Sequence, residues 1–75
     1  MKNKTKNELK TIAQRALKVE YGFAPCKTDI ILLEAYGEGT YILFEVNGNE
    51  YSFNSSLARD GSVLCYKGTI SRVDE

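Results

Sequence analysis

Cys26 and Cys65 are the only thiols in this chain, and it contains no histidine. Histidine is the usual general base near neutral pH and the commonest zinc ligand, so its absence removes most familiar catalytic arrangements. Two cysteines without a C-x-x-C spacing are too few for a structural zinc site. A cysteine nucleophile needs a partner base or strong stabilisation of its thiolate. Lys27 adjoins Cys26, but neighbours in a chain often diverge in space. Both cysteines therefore read as small packing residues.

The remaining polar groups offer little more. Ser55-Ser56 lacks the flanking glycines of a nucleophile elbow. Acidic residues are spread singly; Glu34 and Glu45 could approach one another across two strands, but solvated rim charges are the simpler reading. Asp60-Gly61-Ser62 is a turn sequence, far short of the oxygen ligands a calcium loop needs. Gly37-Glu38-Gly39 lacks the following glycine and helix of a phosphate-binding loop. The sequence thus predicts no catalytic residue, no metal site and no cofactor, and the chain is expected not to be an enzyme.

The elements that must carry these residues are set by a change of period near Pro25. Seventy-five residues, 43% of them hydrophobic and 11% aromatic, make one small globular domain with a modest core. Its opening, MKNKTKNELK, has no apolar core of a signal peptide. The expectation is therefore a cytoplasmic protein with free thiols and no obligatory disulfide. No apolar run approaches the roughly 18 residues that suggest a membrane span.

Thr5-Lys6-Asn7-Glu8 fits a capping box, in which the Thr5 hydroxyl and the Glu8 carboxylate satisfy each other's backbone amides. Leu9, Ile12, Ala13, Ala16 and Leu17 then recur as one apolar stripe. Gly22 suits the left-handed position after a helix, and Pro25 prevents continuation. A short basic arm, about 1–4, precedes a helix over about 5–21.

Beyond Pro25 the apolar residues alternate, and a β-meander over about 28–70 is expected. Its strands are Thr28–Tyr36, Tyr41–Asn47, a third from Glu50 past Asn54, and Val63–Lys67, the last resuming through Thr69-Ile70. Asn47-Gly48-Asn49 is a strong hairpin signal. With Asn47-Gly48 as the loop, Phe44 faces Tyr51 and Ile42 faces Phe53. With Gly48-Asn49 as the loop, Phe44 faces Phe53 and Val46 faces Tyr51, and Glu45 escapes a like-charge pairing with Glu50. Either register gathers Ile42, Phe44, Val46, Tyr51 and Phe53 on one face, which the helical stripe covers. Asp60-Gly61 as a further loop adds Leu57 and Leu64 to it. The fold class is α+β: one N-terminal helix packed on a four-stranded antiparallel β-meander.

The opposite face is not cleanly polar. A three-residue Gly37–Gly39 loop sets Leu32 against Phe44 and leaves Ile31, Leu33, Tyr41 and Leu43 outside together. A two-residue loop instead turns Ile30, Leu32 and Leu43 outward. Contiguous exposed apolar groups usually mark an interface. The competing explanation is that the C-terminal tail or the 22–27 loop folds over them. Ile31, Leu33, Tyr41 and Leu43 are the candidate interface.

Charge is also uneven. Six basic and two acidic residues fall in 1–20, a net +4, and the remainder carries −4. A basic stripe can meet nucleic acid, through Lys6, Lys10, Arg15 and Lys18 here, although an acidic sheet opposes phosphate binding. The simpler reading is a solvated helix face that complements the sheet. The sequence therefore predicts a small non-catalytic intracellular protein-interaction module. It would form a homo-oligomer, such as a dimer, or dock on a protein partner through the second sheet face. The alternative is a nucleic-acid-associated regulator using the basic helix.

Overall fold

The computed structural model describes residues 4–73. Residues 1–3, most of the expected basic arm, and the last two positions of the tail lie outside the described residues. The order of elements is helix α1 (Lys6–Tyr21), then strands β1 (Ile30–Tyr36), β2 (Tyr41–Val46), β3 (Asn49–Asn54) and β4 (Ile70–Arg72). The strands form one antiparallel sheet in the order β1-β2-β3-β4, and α1 covers one face of it.

The helix starts and stops where its sequence requires. Glu8 N donates to Thr5 Oγ1 at 3.2 Å, and Thr5 N donates to Glu8 Oε1 at 2.8 Å, which satisfies two amides that the first turn leaves without helical partners. At the other end Gly22 has φ +83°, and its amide closes on the carbonyls of Leu17 and Lys18. Ile12, Ala13, Ala16 and Leu17 are buried, with Leu9 at the margin. They meet Ile30, Ile42, Phe44, Val46, Tyr51, Phe53, Val63 and Ile70 in a single core.

The β2–β3 hairpin settles the register. Phe44 pairs with Tyr51 and Ile42 with Phe53, so the loop is Asn47-Gly48, and Glu45 stands opposite Glu50. Both loop residues have positive φ, +50° and +85°, as a type I′ turn requires. The twist of that turn matches the strands, whereas a like-charge cross-strand pair costs only about 0.2–1 kcal/mol. Turn geometry outweighs charge here.

Three strand expectations are corrected. The first strand begins at Ile30 because Lys27–Asp29 form a 3-10 turn, with Asp29 N bonded to Cys26 O at 2.9 Å. The β1–β2 connection is neither of the two loop lengths considered. Tyr36 pairs with Tyr41 across four residues, and a bulge between Leu32 and Glu34 restores the Leu32–Phe44 pairing further along. Finally, Val63–Lys67 is not a strand. Fifteen residues separate β3 from β4. Within them a tight turn brings Leu57 and Val63 into an isolated bridge, with Ala58 N to Ser62 O at 2.7 Å. Val63 enters the core, but Leu57 and Leu64 are exposed rather than joining Phe53. The fourth strand is Ile70–Arg72, and its Ile70 is the residue set against Phe53.

Candidate functional site

Pairing and burial together assign every strand residue to a face, because side chains alternate and paired residues share a side. Ile42, Phe44 and Val46 are buried against the helix. The outer face therefore carries Tyr41, Leu43 and Glu45 from β2, with Glu50 and Ser52 from β3 and Ser71 from β4. The β1 bulge sets two residues, Leu33 and Glu34, against the single residue Leu43. Both join Ile31 and Tyr36 on this face. The bulge thus converts the continuous apolar run Ile30–Leu33 into a strand with an inner set, Ile30 and Leu32, and an outer set.

All four residues predicted for the interface lie together on this face. Ile31 is 54% exposed and Leu33 44%, while Tyr41 and Leu43 are half-buried among their neighbours. The expected interface did not include Tyr36, which is 61% exposed and stacks its ring on Tyr41 at a centroid distance of 5.6 Å and 24° between planes. A pair of tyrosines flanking the Gly37–Gly39 turn was the available signal. The Tyr36 hydroxyl donates to Glu34 Oε2 at 3.1 Å. That bond and the carboxylate's charge hold the phenol above its ordinary pKa.

Nothing among the described residues covers this face. Gln14 Nε2 donates to Pro25 O at 2.8 Å, which ties the 22–25 segment to the helix. The tail continues along the sheet edge, with Val73 N bonded to Glu50 O at 3.0 Å. The face carries three carboxylates, Glu34, Glu45 and Glu50, and none of its strand positions is lysine or arginine.

The four cations predicted for nucleic-acid contact do not form one patch. At about 100° per residue, Lys6 and Arg15 are about 180° apart around the helix. Lys6 and Lys10 line a groove with Thr28, Ile30, Ile31 and Leu32 at the β1 edge. Arg15 and Lys18 flank a shallow depression with Gln14, Val19 and Ala24. Lys2 of the arm lies outside the described residues.

The thiols are separate. Cys26 is exposed, while Cys65 is half-buried with its sulfur 3.8 Å from Ile12 O. Burial pushes the Cys65 thiol pKa up, against a weaker opposing influence from Arg15. A raised pKa keeps it protonated and a poor nucleophile. Among the described residues no three metal-ligating side chains converge, and no helix is long and apolar enough to cross a membrane. The chain matches no protein-family model, no curated protein and no solved structure.

Proposed function

We propose that this chain is a small non-catalytic protein-interaction module that docks through the outer face of its sheet. The observation that carries the reading is the contiguous group Ile31, Leu33, Tyr36, Tyr41 and Leu43 on a face that the described residues leave open. Leaving apolar surface wet is unfavourable by roughly 25 cal/mol per Å², and a partner recovers that energy. A 75-residue domain with one modest core has much to gain from such support. The absence of histidine and the protonated state favoured at Cys65 support a non-catalytic role. Two free thiols, one of them exposed, support residence in the reducing cytoplasm. Binding of nucleic acid is the weaker reading, because the cations fan around half the helix.

The test uses Ile31→Lys and Leu43→Lys. Circular dichroism melts should show both variants folded. Light scattering across a concentration series should show that they lose an association that the wild type displays. A wild type that stays monomeric at high micromolar concentration, with solubility unchanged in both variants, would remove the basis for an interface.

A further inference from the structure

The two outer surfaces of this two-layer molecule are of opposite sign. The sheet surface presents Glu34, Glu45 and Glu50 around an apolar centre. The helix carries four cations against two carboxylates, Glu8, engaged in the capping box, and Glu20, which accepts from Gly68 N at 2.8 Å. Lys6 and Lys10 lie at the β1 edge, and Arg15 and Lys18 lie together on the surface away from the sheet. Beside Arg15 and Lys18 the depression floored by Val19 and Ala24 is apolar, and Val19 is exposed.

We infer that the occupant of the outer sheet face is a second copy of this chain, docked head-to-tail by its helix surface. The inference rests on the docking role proposed above and names the partner. Face-to-face pairing of two sheets would place them about 10 Å apart. That brings three carboxylates of each copy against three of the other, within about one Debye length. The helix surface has the opposite charge. Long basic side chains also suit this sheet chemically. Arginine and lysine lay their aliphatic stems on apolar groups such as Ile31, Leu33 and Leu43 while their charged ends reach carboxylates. The stacked Tyr36–Tyr41 pair offers aromatic faces that attract a cation. Val19 and Ala24 supply the apolar contact between them. Such a contact is heterologous: each copy uses one surface to give and another to receive, so copies form rings or open chains rather than one closed pair.

Complementation tests this directly. A sheet variant carries Ile31→Lys and Leu43→Lys. A helix variant carries Arg15→Gln and Lys18→Gln, exposed helix positions where the substitution keeps good helix formers. Each is followed by circular dichroism and analytical ultracentrifugation. Head-to-tail docking predicts that each variant alone is a folded monomer. Mixed in equal amounts they should form a 1:1 complex that grows no further, because only one productive surface pair remains. Raising salt from about 0.05 to 0.5 M should weaken wild-type association by about tenfold or more. If the sheet variant is monomeric but the helix variant still associates, or the mixture stays monomeric, head-to-tail docking is wrong while the sheet face remains the interface. If the wild type itself stays monomeric, the second-copy inference falls while docking on a different protein stands; if the sheet variant associates like the wild type, both readings fall.

Discussion

Strand β2 serves two surfaces with alternate residues. Ile42, Phe44 and Val46 are fully buried, whereas Tyr41, Leu43 and Glu45 between them are half-buried on the other side. Composition separates the two sets poorly: each holds an aromatic ring and a branched aliphatic chain. What distinguishes them is the helix, whose apolar stripe lies over one set alone. The comparison teaches that a small sheet can carry two apolar faces and have enough helix to cover only one. The covered face then holds the fold together, and the other is left open by the described residues.

The sharpest way to break that comparison is to truncate both sides of it. Phe44→Ala should cost about 3–5 kcal/mol and Ile12→Ala about 2–5 kcal/mol, because each leaves a cavity in the shared core. In a domain of this size either loss approaches the whole stability. Leu43→Ala on the same strand should cost about 1–2 kcal/mol, less than either core change, since the half-buried side chain leaves no enclosed cavity. Urea melts of the three proteins measure the difference. Equal losses at Phe44 and Leu43 would show that the two faces are equivalent in folding.

A smaller effect is expected at the seam between helix and sheet. Gly39 is buried in the β1–β2 connection at φ +94°, and a Cβ built there would lie 3.0 Å from Ile12 Cδ1 and 3.4 Å from Leu9 Cδ2. Gly39→Ala should therefore cost about 1–3 kcal/mol, through the left-handed backbone and the displaced helix residues together. A melt indistinguishable from wild type would mean that the turn is not pressed against the helix.

The smallest expected effect has the opposite sign. Glu45 and Glu50 face one another on the outer surface, and Glu50→Thr removes a like-charge pair while adding a residue suited to strands. It should gain about 0.2–1 kcal/mol, and the gain should shrink in high salt. A loss would indicate that one of these carboxylates has a favourable role on its face.

Much of the covered face was legible in the sequence, and the reasons are local. The helix has one stripe, one capping box and one glycine stop, and β2 alternates cleanly. The outer face was legible only in part. Ile31, Leu33, Tyr41 and Leu43 were grouped correctly, but Ile30–Leu33 is apolar throughout, so no period within it reveals a bulge. Tyr36 was left out because its face depends on that bulge. The hairpin register was obscured by a real but weaker force, the repulsion between Glu45 and Glu50. The last strand was anticipated only at its start, as a resumption through Thr69-Ile70, because three residues, Ile70–Arg72, are too few to show alternation. Val63–Lys67 shows some alternation, yet the Asp60-Gly61 turn pairs Val63 with Leu57 in an isolated bridge, so Val63 enters the core while Leu64, Tyr66 and Lys67 stay exposed. The depression beside Val19 and Ala24 depends on a loop held by Gln14, which no helical period announces.

That short last strand gives the two edges of the sheet different lifetimes. No strand among the described residues pairs with the β1 edge, and its bulge interrupts the regular row of donors and acceptors that another strand would need. The β3 edge is regular over six residues and is covered by three residues of β4. A strand that short, at the end of a fifteen-residue excursion, detaches at a lower free energy than the whole domain unfolds. Each detachment turns Asn49–Asn54 into an unguarded template. Proteolysis and strand-to-strand aggregation should therefore track the fraction of time β4 is undocked rather than global stability, and amides bonded across β3–β4 should exchange with solvent before those across β1–β2.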